Sequence, residues 1–531
     1  MVATEVDAIV IGSGINGMVA AAELGRAGWS VALLERNEEI GGFIASSELT
    51  APGYIHDTYS SWHPLFLSSP AYGVLGEDLA RHGLEYRNTD ELMTASVADD
   101  GAVSLAYRDP DLTAGEFTKA EDGQAYLEAL QQFGCNAKHF GALMGTELRR
   151  PAVAALLARF LKTNGRRGAE AWMRDMATSG RSYCSRTFQG HEVDHLWAPW
   201  LLHAGLSPDH AAGGLMIPVF AATLHGFGLP VVAGGSANLI RAFRGIFAET
   251  GVQVHTGAEA ERIVVDSGRA VAVETADQRI RARRAILASV TPTALYGSLL
   301  PERASTPDLR RQAAAYRYGR AEMQVHVALS APPKWRDPRL NRVPLVHISD
   351  GSASTGIACA EAEAGLLPQR PTVVVGQQFL LDPSRVPHGA GALWLQLQEV
   401  PFTPRGDARG QLDTTAGWTA DLARDFAQRA LDRVAAHTEG LAGQVLDVHV
   451  VTPRDLHAYN VNAVAGDPYG GNCELDQSFV WRPLPGSGRH RTNVKSLWHI
   501  GASTHPGAGL GAGSGHLVAS ALTARSRSTF N

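Results

Sequence analysis

Apolar positions recur in this chain with two periods, and the switch between them marks out its elements. Asp7-Ala8-Ile9-Val10-Ile11 is one short, mostly apolar run and Trp29 to Leu34 another, both with the near-continuous hydrophobicity of strands buried on two faces. Met18 to Ala27, between them, is rich in small residues and reads as a helix. From Ala71 to about Arg150, short strands within Leu92 to Leu105 alternate with helix at Gly123 to Gly134. Pro151 to Leu161 places Val153, Leu156, Leu157, Phe160 and Leu161 at i, i+3, i+4, i+7 and i+8, which is one helical face. Leu215 to Phe227 and Asn238 to Glu249 are further helices. Val252 to His255, Glu261 to Val265, Ala270 to Glu274 and Arg284 to Leu287 read as strands, with a turn at Asp266-Ser267-Gly268. Alternation of period two then marks Glu322 to Leu329, Pro371 to Gln377, Ala392 to Val400 and Leu446 to Val451, which predicts an antiparallel or mixed sheet. Thr414 to His437 is a long amphipathic helix; Leu497 to Ile500 is a last strand and a last helix begins near Ser514. Gly406 to Gly410 and Gly486 to Thr492 read as exposed loops.

The first strand, helix and second strand enclose a glycine motif. Gly12, Gly14 and Gly17 form G-x-G-x-x-G, with Ile15 and Asn16 opening the helix and Glu35-Arg36 closing the second strand. Gly12 permits the tight turn, Gly14 lets a pyrophosphate reach the backbone, and Gly17 lets helix and strand pack closely. The helix N-terminus offers free N–H groups and the positive end of its dipole. Glu35 stands where a carboxylate can hold ribose hydroxyls and repel a 2′-phosphate. The whole unit is an ADP-binding site. The pair Gly41-Gly42 is superfluous for a nicotinamide dehydrogenase and suits FAD, which runs on past the first helix. A second glycine-crowded stretch, Gly501 to Gly515, lies between the last strand and the last helix, where backbone N–H groups can face the pyrimidine edge of a flavin. There is one G-x-G-x-x-G in a strand–helix–strand context, which argues against a built-in NAD(P) domain.

Length and composition narrow the setting. A chain of 531 residues exceeds one typical core, so two interleaved domains are expected. A net charge of −6 gives no footprint for nucleic acid. Cys135, Cys184, Cys359 and Cys473 are far apart, which suits a reducing compartment and speaks against a disulfide framework, a redox disulfide and a zinc site. No run approaches the roughly eighteen apolar residues of a membrane span, and the N-terminus lacks a signal-like pattern, so a cytoplasmic location is expected. Arg149, Arg150, Arg159, Lys162, Arg166 and Arg167 surround the helical face at Pro151 to Leu161. That leaves two readings of residues 149–167: a peripheral membrane contact, or a helix packed on its own domain with a solvated basic face.

The N-terminal unit with Glu35 and Gly41-Gly42, the central P-x-x-A-G-G-S-x-x-L, the stretch GDPYGGNCELDQSFVWRP (Gly466 to Pro483) and GASTHPGAG from Gly501 together resemble the phytoene-desaturase-related FAD oxidoreductases. That family includes phytoene desaturases, carotenoid isomerases and retinol saturases; the Gly466 to Pro483 stretch is most similar to its pyridine-nucleotide-disulfide-oxidoreductase-like branch. The resemblance implies an α/β fold: a Rossmann-like FAD domain of the glutathione-reductase type, from residues 1–75, 230–300 and 485–531. An interleaved substrate domain of mixed sheet and helices, α+β in character, would come from residues 76–229 and 301–484. It further implies that Gly12, Gly14, Gly17, Glu35 and Gly42 hold the ADP half and that backbone near Ala260 meets the adenine. Gly501, Ala502, Gly507 and Gly509 would hold the flavin end, with His505 and Pro506 beside the ring.

The expected chemistry is hydride transfer from a lipophilic or bulky organic substrate to flavin N5, by a desaturase, dehydrogenase or oxidase passing electrons to oxygen or a quinone. Asp57, His63 and His505 are candidates for a base, Tyr59 and Trp62 for walls of the substrate pocket, and His225 is a further pocket candidate. Tyr54 to Phe66, where four of these lie, reads equally as a loop whose aromatics plug the domain junction. A redox-neutral isomerase using reduced FAD, an amine oxidase, and an FAD-stabilised interaction protein are the competing classes; association with a second copy is left open. An amine oxidase would typically place a lysine near N5, and no lysine of this chain falls in a flavin-facing motif.

Overall fold

The computed structural model describes residues 4–148 and 151–528; Arg149 and Arg150 of the basic stretch lie outside them. Two seven-stranded sheets organise the chain. In the first, the parallel strands Leu497–Ile500, Arg279–Ser289, Thr4–Ile11, Val31–Leu34 and Gln253–His255 lie side by side, and the hairpin Arg262–Asp266/Arg269–Glu274 extends it antiparallel. Val10 pairs with Leu33 on one side and Leu287 on the other, so the first strand is central and buried on both faces, as its unbroken apolar run requires. The helices Ile15–Arg26, Ala237–Thr250 and Gly513–Ser528 share the core that covers one face.

The second sheet runs in the order Val445–Val451, Ala321–Leu329, Gly391–Val400, Val373–Gly376, Leu345–Ile348, Leu92–Val97, Val103–Tyr107. It is mixed, because only Leu345–Ile348 and Leu92–Val97 pair in parallel. The helix Ala420–Ala436 packs Leu422, Phe426, Ala430 and Val434 against Met323, Val325, Leu395 and Leu397. It begins later than the amphipathic pattern suggests, since the side chain of Thr419 caps it by accepting from the Leu422 N–H.

Two loops expected to be exposed are exposed only in part. Gly406–Asp407 pairs with Leu366–Leu367, and Asp407 forms a two-pronged ion pair with Arg429, 2.7 and 2.8 Å. Its carboxylate is 1% exposed, so the segment is pinned, not free. In 486–492, His490 is buried between the Glu147 carboxylate (2.7 Å) and the His505 carbonyl (2.7 Å). The helix Pro151–Ala177 breaks at Gly165, whose φ is 66°. Phe160 packs on Trp172 and His139, while Leu157 and Leu161 are 51% and 50% exposed, so the apolar face is only partly covered. Among the described residues no helix is long and apolar enough to cross a membrane.

A buried ion pair ties together the segments around Asp57, Val232 and Arg385. Arg385, whose side chain is 2% exposed, donates to the Asp57 carboxylate at 2.7 Å, to Asp382 at 3.2 Å and to the Val232 carbonyl at 2.7 Å. Asp57 also accepts from Ser61 Oγ and the Ser236 N–H, and Asp382 from the Gly234 N–H. The glycines of A-G-G-S are there for the backbone: Gly235 has φ +99°, and a Cβ on it would lie 2.5 Å from Ser46 Oγ. Arg385→Met strands the Asp57 charge without a counter-ion, so the FAD-loaded protein should lose about 3–5 kcal/mol in urea unfolding. A loss under about 1 kcal/mol, the worth of a surface pair, would show that the joint is not what holds this segment.

Candidate functional site

The glycines of the first turn are fixed by contacts that leave no room for a side chain. A Cβ on Gly17 would lie 2.0 Å from the Gly12 carbonyl oxygen, and one on Gly12 (φ +86°) 2.9 Å from the Ser289 carbonyl. Gly41 (φ +126°) donates its N–H to Ser13 Oγ at 3.0 Å, and a Cβ on Gly42 (φ +59°) would stand 3.1 Å from Gly14 Cα. The second glycine pair is thus seated directly on the first turn. Gly14 differs: φ is −57° and an added Cβ would meet no protein atom within 4 Å. It is also the helix N-cap, with no side chain capping it, so the first-turn N–H groups at Ile15 and Asn16 point past Gly14 with no intrahelical acceptor.

The last helix comes in over the same spot. A Cβ on Gly515 would lie 2.0 Å from the Asn16 carbonyl oxygen, and the Gly515 N–H donates to Asn16 Oδ1 at 3.1 Å. The N-termini of the first and last helices therefore meet, which doubles the positive dipole at one place. The preceding loop is tied down by Ser514, whose hydroxyl accepts from the Gly501 N–H and pairs with Thr504 Oγ1 at 2.7 Å. Arg482 donates to the Ala502 carbonyl at 2.9 Å. Gly501 (φ +106°) rests on Ser289, a Cβ on Gly509 would strike Leu65, and Gly507, like Gly14, has open space in front of it. Pro506 follows a cis peptide bond and packs where a Cβ of Gly513 would fall.

Glu35 is 7% exposed; its Oε2 accepts from the Ser13 N–H and hydroxyl and its Oε1 from the Asn37 N–H. A carboxylate has about four acceptor positions, so Oε1 retains one for a ribose hydroxyl. Arg36 Nη1 is buried with no acceptor among the described residues. Ala260 lies in the turn before the hairpin, two residues past Ala258, whose N–H donates to the Glu35 carbonyl. Two open glycines, two converging helix N-termini and one buried guanidinium nitrogen without an acceptor are what an adenine dinucleotide would fill, and the residues fit one.

Each candidate base already has a protein neighbour, and of Asp57, His63, His225 and His505 only His505 lies in the loop from Gly501 to Gly509. Asp57, 2% exposed, is consumed by Arg385, Ser61 and Ser236. His63 is fully buried with Nδ1 3.1 Å from the Tyr86 hydroxyl, and burial pushes it down to about 4, so it stays neutral. His505 turns Nε2 to the Leu143 carbonyl at 3.2 Å; it too is pushed down to about 4 by burial, and it fastens the helix tip near Leu143 to the loop. His225 shares a 2.6 Å bond with the Tyr126 hydroxyl, sits beside the Arg108 carbonyl and packs against Trp197, which in turn meets Trp200. Tyr59 stacks between Phe43 and Tyr459 at 5.1 and 4.5 Å, next to the Gly41-Gly42 turn. Trp62 packs with Trp200, Phe220 and Trp394.

What the sequence pattern did not reveal is the buried face of the second sheet. Gln324 donates to the Tyr59 carbonyl at 2.9 Å and His326 Nε2 lies 3.2 Å from the Thr58 carbonyl, so strand Ala321–Leu329 lies beneath the Tyr54 to Phe66 segment. Glu322 is 3% exposed; burial raises its carboxyl to about 7 against the hydrogen bonds of Gln396 and Tyr469. The chain does carry a signal for it: E-x-Q-x-H interleaved with M-x-V-x-V, a polar face on a strand with no solvated side.

Fold and site define a flavin oxidoreductase, with FAD as cofactor and catalysis as its role. The chain belongs to the flavin containing amine oxidoreductase family, whose model matches residues 15–411. It is 23% identical to a mouse pyridine nucleotide-disulfide oxidoreductase domain-containing protein 2, over 95% of this chain and 91% of that protein. It is 25% identical to a zeta-carotene-forming phytoene desaturase of Myxococcus xanthus (94% and 90% covered) and 22% identical to a limonene dehydrogenase component from Castellaniella defragrans (97% and 93%). Among solved structures, putrescine oxidase with bound putrescine superposes with a TM-score of 0.61 at 15% identity, covering 98% of this chain and all of that one. An oxidoreductase from Methanosarcina mazei gives 0.60 at 13% identity with the same coverage. These structures share the fold.

Gly14 and Gly17 separate cofactor from fold. Gly14→Ala should fold with unchanged far-UV dichroism yet purify with FAD affinity reduced about tenfold or more, whereas Gly17→Ala should fail to fold. Full FAD occupancy in Gly14→Ala would remove the pyrophosphate from this turn.

Proposed function

We propose that this protein oxidises or desaturates a bulky, lipophilic organic molecule, with hydride transfer to FAD and dioxygen or a quinone as the final acceptor. FAD, when bound, supplies the hydride acceptor at N5. The chain's own residues do the rest. In this reading Gly12, Gly14, Ile15, Asn16, Gly17, Glu35, Arg36 and Gly42 hold the ADP half, with Gly41 shaping the turn and Ala260 near the adenine. Gly501, Ala502, Gly507 and Gly509 hold the flavin end, and Pro506 sets the course of its loop.

The observation that carries the reading is the aromatic cluster beside the flavin-end loop: Trp62, Trp200, Phe220 and Trp394 packed together with Cys473, three residues from the glycine that touches Ala502. Such walls hold apolar bodies and exclude water from the reacting carbon. With Asp57, His63 and His505 committed elsewhere, positioning does more here than a dedicated base. Relatives whose names denote hydrocarbon substrates, phytoene and limonene, support the lipophilic class. The five lysines, Lys119, Lys138, Lys162, Lys334 and Lys495, all lie outside the 501–515 loop, which speaks against an amine-oxidase-like site. Exposed Leu157 and Leu161, beside Arg159, Lys162, Arg166 and Arg167, suit contact with an anionic membrane surface from which such a substrate could be drawn.

Anaerobic mixing of the oxidised holoenzyme with terpenoids, polyenes, long-chain alcohols and amines tests this. Bleaching of the flavin band by a lipophilic compound is expected. Turnover only after the flavin has been reduced in advance would make the protein an isomerase, and no response to any compound would make it a binding protein.

A further inference from the structure

The two central strands of the second sheet, Ala321–Leu329 and Gly391–Val400, present opposite characters on their two faces. Met323, Val325, Val327, Leu393, Leu395 and Leu397 point into the core. The other face carries Glu322, Gln324, His326, Trp394, Gln396 and Gln398, all buried. Amides and a carboxyl out of reach of water must be matched bond by bond. Most are. Trp394 Nε1 donates to Gln324 Oε1 at 3.1 Å, Gln324 to the Tyr59 carbonyl, and Gln396 Nε2 to Glu322 Oε2 at 2.7 Å.

His326 Nδ1 and the corner at Glu322 are not matched. Glu322 Oε1 and Gln398 Oε1 are both buried and make no close hydrogen bond among the described residues, although the Tyr469 hydroxyl and the Gln398 amide face the Glu322 carboxyl. Tyr469 closes this corner: its hydroxyl accepts from Gln398 Nε2 at 3.0 Å and donates to the Leu202 carbonyl at 2.8 Å. The next residue, Gly470, is pressed onto the flavin-end loop, a Cβ there falling 3.0 Å from Ala502 Cβ. On its other sides the corner adjoins the aromatic cluster, through Trp394 on the same strand and through Cys473, whose Sγ, like the Tyr469 ring, lies 3.1 Å from a Cβ built on Gly205. Two acceptors without a close hydrogen bond thus sit beside a packed aromatic cluster, next to Gly470, which meets the loop assigned to the flavin.

We propose that Glu322, with Gln398 beside it, anchors a hydroxyl or amino group of the substrate, its Oε1 accepting the O–H or N–H while the aromatic cluster holds the apolar body. The inference rests on the function proposed above and sharpens it: the substrate is amphipathic, with one hydrogen-bond-donating end, and is not a pure hydrocarbon. A ligand without a donor leaves both oxygens unmatched in a dry corner, which a ligand with one does not.

Farnesol, farnesylamine, farnesyl methyl ether and farnesene share a skeleton and differ at one end, so titrating each into the anaerobic holoenzyme and following the flavin band isolates the anchor. The alcohol and amine should bind about tenfold or more tighter than the ether and hydrocarbon. Glu322→Gln, which keeps an acceptor oxygen, should preserve that ratio. Glu322→Leu should reduce it to within about twofold while FAD content and farnesene binding stay as in the wild type. Should Glu322→Leu not retain FAD, the wild-type ratio decides. Ether or hydrocarbon bound as tightly as alcohol, or an undiminished ratio in Glu322→Leu, overturns the anchor and leaves the oxidoreductase reading intact. A flavin band that none of the four compounds moves overturns the anchor and the lipophilic-substrate reading together.

Discussion

Two backbone contacts that admit no side chain set the geometry on which the rest of this structure depends. Gly17 places the first helix against the Gly12 carbonyl, and Gly515 places the last helix against the Asn16 carbonyl, each so close that a Cβ would stand 2.0 Å away. At that distance neither helix can slide or tilt without colliding with backbone. The result is a pair of helix N-termini held together at one end of a parallel sheet, with more N–H groups than the protein itself can match. Residues from positions 14 and 513 become neighbours because the strand Leu497–Ile500 adds to the sheet beside Arg279–Ser289, one strand away from Thr4–Ile11. Parallel topology needs the long return, and the return is what leaves room for a second domain between the ends.

The segments around the A-G-G-S turn are held by charge as well as by apolar packing. The Asp57–Arg385–Asp382 cluster is nearly devoid of solvent, and every oxygen in it that faces the A-G-G-S turn accepts a backbone N–H. It fixes the Tyr54 to Phe66 segment from behind, while Gln324 and His326 hold it from below. The segment is therefore tied down on both sides, to the second sheet and to the A-G-G-S turn. Its aromatic and acidic residues look chemical in the sequence because a buried segment needs the same residue types as an active site: acids with partners and rings with a polar edge.

This explains which features could be read from the chain alone. The turn at Gly12 to Gly17, the pair Gly41-Gly42 and the loop at Gly501 were legible because each glycine answers a local backbone demand, and local demands are encoded by spacing. Four strands of the second sheet were legible from alternation and two more as short strands within Leu92 to Leu105, whereas Leu345–Ile348, an unbroken buried stretch of four residues, was not. Asp57 was not legible: its partner Arg385 is 328 positions away, and nothing near either residue announces the pairing. The same holds for His490 between Glu147 and His505, which converts an expected exposed loop into a fastening. Glu322 was in view as part of an alternating strand, but its meaning depends on the sheet having no wet face, which only the packing of the 54–66 and 467–471 segments establishes.

The central claim is that one dinucleotide bridges the two ends of the chain, and a crystal structure of the FAD-loaded protein tests it most directly. The account predicts pyrophosphate density against the backbone of Gly14 to Asn16 and the first turn of the last helix, with the isoalloxazine ring against Gly501 and Ala502. A flavin bound in another cleft, or with its phosphates away from both helix N-termini, would contradict it.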